Sequence, residues 1–185
     1  MWRSALGALI AIALVGCAPQ AGTPRSDPRL DTLFHQLQEA PSAAGAAAIE
    51  RQIWQRWSES GSATVDVLME RALAAQSTQD FDRALGFLDE ASKLQPGFAE
   101  PWNRKAAIAY DQGDSARALA AIQEVLKREP RHFGALMAMG VIAEGQGQTA
   151  AALEAYRTAL RHHPYLEGAR AGVARLAPKI DGRDT

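Results

Sequence analysis

Cysteine is nearly absent: the 185 residues contain a single one, Cys17. One thiol excludes a disulfide framework, a Cys-based zinc site and a Cys-x-x-Cys redox pair. Aromatic residues are scarce at 6%, whereas alanine supplies 38 positions. Alanine is the best helix former and a poor strand former, so the composition points to an all-α chain. Neither charge sign dominates, with 20 Lys and Arg against 21 Asp and Glu, which argues against a nucleic-acid binder. At 47% hydrophobic and 22% charged the chain is ordinary for a folded protein. The uncharged run Ala5 to Val15 has eleven residues, short of the roughly 20 that a membrane-spanning helix needs.

That run, preceded by Arg3, reads as the apolar core of an export signal and is set aside from the fold. It ends in Leu14-Val15-Gly16-Cys17, which resembles the bacterial lipobox. The resemblance implies a signal peptide over residues 1–16 and lipidation of Cys17, with acyl chains such as palmitate anchoring the chain in a membrane. Ala18 stands where an Asp would imply retention at the inner membrane, so the outer membrane is favoured where the source has one. The other readings are an ordinary signal cut after a small residue such as Ala18 or Ala21 and, least favoured by the short apolar run, an uncleaved N-terminal anchor. Residues 17–29, with Pro19, Pro24, Pro28, Gly22 and Ser26, read as a flexible tether.

The rest of the chain repeats with a period of 34. Pro96, Pro130 and Pro164 keep this spacing. So do Ala84, Ala118 and Ala152; Leu85, Leu119 and Leu153; Leu88, Ile122 and Tyr156; and Ala91, Val125 and Ala159. In the preceding half of each unit, Leu68, Trp102 and Leu136 match, as do Ala72, Ala106 and Gly140. Each unit reads as two amphipathic helices joined by a short polar break. The small residues mark close helix approach, and the prolines end each second helix. Gly113 and Gly147 suit the positive φ of a helix end. Asp80, Asp114 and Thr149 suit the caps of the helices that follow, and Pro101 suits a first turn.

These residues resemble the tetratricopeptide repeat (TPR) family, with repeats over residues 65–98, 99–132 and 133–166. The resemblance implies a solenoid of helical hairpins. The first repeat departs most from the pattern, with Arg71 where Leu is usual and Gln79 where a turn Gly is usual. Upstream, residues 30–60 read as a helical hairpin, either a degenerate repeat or a cap. Leu30, Leu33, Phe34 and Leu37 share one face of its first helix; Ile49, Ile53, Trp54 and Trp57 share one side of its second. The tryptophans are expected to pack on the first repeat, with an exposed binding patch as the other reading, whereas Trp102 sits in a core slot. Downstream, residues 167–177 read as a capping helix ended by Pro178, followed by a loose tail to residue 185.

No catalytic set emerges. The glycines sit at helix breaks, no His-Glu-x-x-His motif is present, and no serine lies in a nucleophile elbow. His162 and His163 are adjacent on a helix and point about 100° apart, so they suit a helix C-terminus better than a shared metal. The expectation is a non-enzymatic protein with no cofactor. In the TPR family the groove is lined by the first helix of each hairpin. Carried over, the lining is Asp66, Met69, Leu73, Gln76, Glu100, Asn103, Ala107, Tyr110, Gly134, Met137, Val141 and Glu144, with Asp111 adjacent. Its charged members are all acidic, so a basic or neutral amphipathic segment of a protein or peptide is the expected partner. The functional expectation is an interaction adaptor tethered to the bacterial cell envelope, its folded part in the periplasm. The alternatives are a glycan- or peptide-binding accessory factor and a soluble chaperone-like protein.

Overall fold

A computed structural model describes residues 27–182; the signal, lipidation and most of the tether readings, Cys17 included, lie outside the described residues. These residues form nine helices and no strand: α1 Pro28–Gln38, α2 Ala43–Ser58, α3 Ala63–Ser77, α4 Phe81–Leu94, α5 Glu100–Asp111, α6 Ser115–Arg128, α7 Phe133–Gly145, α8 Thr149–His162 and α9 Glu167–Asp181. The fold is an all-α solenoid of helical hairpins, the architecture that the resemblance to the TPR family implies. None of these helices is long and apolar enough to cross a membrane.

Three hairpins, α3–α4, α5–α6 and α7–α8, repeat one local plan. Gly113 and Gly147 take φ 76° and 72°, and Gln79 takes φ 59° at the corresponding turn of the first hairpin. The same long backbone bond closes all three turns: Asp80 N to Ala75 O, Asp114 N to Ala109 O and Gln148 N to Ala143 O, each 2.9 Å. Such bonds satisfy carbonyls that a helix end leaves open. Asp80 and Asp114 cap α4 and α6 through their carboxylates. Thr149 does not cap α8: it is the first helical residue, and Gln148 holds the cap position without a side-chain bond. The second helices end at Leu94, Arg128 and His162, because the residue before Pro96, Pro130 or Pro164 is steered out of the α region. Ala84, Ala118 and Ala152 are fully buried where paired helices meet.

Successive hairpins stack through one face of each first helix. Lys105 and Ile108 of α5 meet α4 and the first hairpin; Ala135 and Ile142 of α7 meet α6; Ala169 and Leu176 of α9 meet α8. Tyr156 fills a slot between α7 and α9: a Cβ built on Gly140 or Gly172 would lie 2.5 or 2.4 Å from its ring. Helix α9 runs past Pro178 to Asp181. The amide that Pro178 lacks sits on an exposed turn, and Ile180 beyond it packs on the core, so the helix continues.

The N-terminal hairpin corrects the sequence reading most. Helix α1 starts at Pro28, capped by Asp27, inside the segment read as tether. The tryptophans do not pack on the first repeat. The hairpin lies across the loops before α7 and α9, burying Leu30, Phe34, Leu37, Ile53 and Trp57 against Phe133, with Tyr165 and Leu166 beside them. Trp57 stacks on His132 at 4.1 Å and 9°, while Trp54 meets His132 edge-on at 5.3 Å. Polar ties follow the same seam. Tyr165 Oη donates to Ala40 O at 2.9 Å, and Arg131 pairs with Asp31 at 2.7 Å. The Tyr165 amide donates to His163 Nδ1, so His163 Nε2 carries the proton and donates to Glu50 Oε2 at 3.1 Å. Between α2 and α3, Gly61 at φ 77° replaces the proline-bounded link found between the repeats, and the chain leaves the stack there.

Candidate protein-interaction groove

Helices α5 and α7 present side chains at intervals of three and four residues, which places them on one face. Asn103, Ala107, Tyr110 and Asp111 from α5 and Met137 and Val141 from α7 bound a groove of ≈ 280 Å³, floored by Ala106, Ile122, Ala138 and Ile142. The residues expected from α3 lie apart. Asp66, Met69, Leu73 and Glu100 line a second recess of ≈ 220 Å³, together with Ser58, Glu70 and Arg104. Gln76 and Glu144 are in neither wall. Gly134 is covered, since a Cβ there would lie 2.7 Å from Trp54. Tyr110, Val141 and Leu73 are the large apolar side chains left exposed along this face.

The acidic lining is largely neutralised from within. Glu100 is buried and held by Asn103 Nδ2 at 3.0 Å and Arg104 Nε at 2.9 Å. Burial pushes its carboxyl up, and the Arg104 charge opposes that shift. Glu144 accepts from Arg175 Nε and Nη2, both at 2.7 Å, and from Tyr156 Oη at 2.9 Å. The Arg175 hydrogen bonds hold the Glu144 carboxyl at about 2. Burial, aided by Glu144, lifts the Tyr156 hydroxyl to about 12. Asp66 accepts from Ser60 Oγ at 2.5 Å. Among the described residues Asp111 alone of these acids has no side-chain hydrogen bond or ion pair. An apolar slot with one free carboxylate at its rim suits an apolar anchor and a cation on the same ligand.

His132, His162 and His163 and the tryptophans Trp54, Trp57 and Trp102 are packing residues. His132 is buried with Nδ1 accepting from the Ala135 amide at 3.0 Å, and desolvation drives its pKa to about 3. His162 ends α8, but burial followed by the Arg131 charge lowers its pKa, so it does not serve as the cation expected at that helix end. Trp102 packs on the second hairpin with Lys105 and Arg128 over its ring at 4.0 and 4.9 Å. Among the described residues no three His, Cys, Asp or Glu side chains are grouped to hold a metal ion.

The tetratricopeptide repeat family model matches residues 69–124 and 103–167, together more than half of the chain. A TPR repeat-containing protein of Rhizobium etli is 42% identical over 85 residues, which are 46% of this chain and 42% of that protein. The chain therefore spans less than half the length of this curated relative. Among solved structures, the Arabidopsis OM64 TPR domain aligns at a TM-score of 0.58 and 22% identity, covering 63% of this chain and 97% of that one. The first TPR of Spaghetti (RPAP3), bound to an HSP90 peptide, aligns at 0.58 and 14%, covering 64% and 94%. The MamA protein aligns at 0.56 and 16%, covering 83% and 81%. With the period of 34, the shared turn geometry and the stacked hairpins, these matches establish that the chain belongs to the tetratricopeptide repeat family.

Proposed function

We propose that this chain is a protein-interaction adaptor that takes an amphipathic segment of a partner into the groove between α5 and α7. The observation that carries the reading is the exposed apolar pair Tyr110 and Val141 beside the free carboxylate of Asp111. A ligand helix or strand would set apolar side chains against Ala107, Met137 and Val141 and direct a Lys or Arg toward Asp111. The RPAP3 domain holds the peptide SRMEEVD, three of whose last four residues are acidic. The groove here offers no cation to such an end, so a basic or neutral segment fits it better. No residue set for catalysis accompanies the groove, and the role is one of holding rather than of chemistry.

The test uses the full chain and two labelled amphipathic peptides with the same apolar stripe, one Lys-rich and one Glu-rich. The Lys-rich peptide is expected to bind more tightly, with an advantage that shrinks as salt rises. Val141→Glu is expected to abolish binding, and Asp111→Lys to remove the preference. Equal binding of both peptides at low salt would overturn the charge reading.

The adaptor is further proposed to work at the bacterial cell envelope on a lipid anchor at Cys17, outer membrane favoured. The motif Leu14-Val15-Gly16-Cys17 supports this, and two or more acyl chains make anchoring stable. Cys17→Ser is expected to leave an unprocessed or soluble chain by detergent partitioning and intact mass. An unmodified Cys17 in the mature wild type would refute the anchor.

A further inference from the structure

The three first helices that follow a hairpin, α5, α7 and α9, each bury one face against the preceding second helix. The residues at corresponding places in α3 are Val67, Arg71 and Ala74. Their counterparts in α5 are Pro101, Lys105 and Ile108, all buried. In α3 the face is open: Val67 is 44% exposed, and Arg71 and Ala74 are exposed. It is open because α2, which precedes α3, leaves the stack at Gly61 and packs on His132 and Phe133 instead. Helix α4 continues the same end. Phe87 stands where α6 and α8 bury Ala121 and Ala155, and Leu94 is 56% exposed where α6 has Arg128 packed on Trp102.

The charge on this end states what it lacks. Arg71 and Arg83 lie over the Phe87 ring at 6.0 and 5.8 Å, and among the described residues neither reaches a carboxylate. Asp80, in the same recess, is committed to the cap of α4. The next junction shows the filled version. Lys105, the counterpart of Arg71, pairs with Asp89 of the stacked helix α4 at 2.8 Å and bonds Ser92 at 3.1 Å. A second copy of this chain is a poor occupant. Two α3 faces would set Arg71 against Arg71, and the outer side of α9 at the other end presents Arg170 and Lys179 with Glu167 as its one described carboxylate, so cations would predominate in either arrangement.

We infer that the open α3–α4 end is a second docking surface, taking an amphipathic helix of another protein that carries a carboxylate on its buried side. The helix would lie as α4 lies on α5. Its apolar stripe would cover Val67, Ala74 and Leu94, and its acid would pair with Arg71. This surface is separate from the α5–α7 groove, so the two readings stand or fall independently. Two docking surfaces on one chain would let the adaptor join two partners.

The probe is a labelled, stapled peptide of residues 80–95, the chain's own α4 with its Asp89, titrated into the full chain by fluorescence anisotropy. Saturable binding is expected, weakened at least tenfold by Arg71→Glu and lost with Val67→Arg, both exposed sites that leave the fold intact. A peptide carrying Asp89→Arg is expected to bind the native chain poorly and to recover on Arg71→Glu. Val141→Glu, which breaks the groove, is expected to leave this binding unchanged. Absence of saturable binding, indifference to Arg71→Glu, or loss on Val141→Glu would overturn the proposal. So would a dimer in sedimentation that Val67→Arg dissolves, since a second copy would then be the occupant.

Discussion

The N-terminal hairpin and the three repeats are both pairs of antiparallel helices, yet they are held by different means. The repeats meet through small residues placed every 34 positions: Ala84, Ala118 and Ala152 let backbones approach, and the same turn closes each pair. The hairpin meets the repeats through large rings used once, with Trp57 on His132 and Phe34 at 6.3 Å from Phe133. A repeated small-residue contact can be extended by copying, whereas a ring seam fits one place only. That difference explains why α1 and α2 bridge the loops before α7 and α9 instead of adding a further unit to the stack.

The sharpest way to break the comparison is to empty the seam. Trp57→Ala removes a buried ring and is expected to cost about 3–5 kcal/mol of hairpin docking. Far-ultraviolet circular dichroism should retain most of the repeat helicity while Trp54 fluorescence shifts to a solvent-exposed position. A single cooperative loss of all helicity would show that the repeats depend on the hairpin.

Acid should also act on the seam. The His132 pKa falls from 6.5 to about 3 on folding. Above pH 6.5 both states are neutral and stability is flat. Below it the unfolded chain takes a proton that the buried ring refuses, so stability falls until about pH 3. At pH 5 the loss is about 2 kcal/mol, at roughly 1.4 kcal/mol per unit. The lowered pKa of His162 adds in the same direction. His132→Phe is expected to flatten most of this slope in denaturant midpoints measured from pH 7 to 5.

The counterpart in the repeats is Ala118→Leu, which overpacks the contact within α5–α6 and is expected to cost about 1–3 kcal/mol, with no new pH dependence. An unchanged denaturant midpoint would refute the close approach. The smallest effect is a gain. Gln79 holds the left-handed turn that Gly113 and Gly147 hold in the other hairpins, and a side chain there is strained by about 1 kcal/mol. Gln79→Gly is expected to raise stability by up to about 1 kcal/mol; a drop in the thermal midpoint would count against it.

The period of 34 made the repeats legible because each unit buries the same places. The hairpin's position was not legible, since Glu50–His163 and Ala40–Tyr165 join residues with no shared pattern. The run of Pro178 into an extended α9 depended on Ile180 finding the core. For the groove, the sequence register brought Asn103, Ala107, Tyr110, Asp111, Met137 and Val141 to one place. The Arg104–Glu100 pair is an i,i+4 pair within α5 and was legible from spacing; the Arg175–Glu144 pair was not, because it depends on side-chain reach from α9 to α7. Arg71 was legible as a departure from pattern; the open face that explains it required α2 to be seen elsewhere.

A stack of repeats has only neighbour contacts and can grow from either end as the chain appears. The bond between Tyr165 and Ala40 closes a loop of 125 residues. The hairpin is made before the repeats; its ring partners His132 and Phe133 arrive with α7, and its ties to His163 and Tyr165 only with the α8–α9 loop. At synthesis rates of about 5–20 residues per second, the first-made helices wait several seconds or longer with Trp57 and Phe34 uncovered. Completion of the third repeat is therefore the event that turns a growing, locally stable array into a closed molecule.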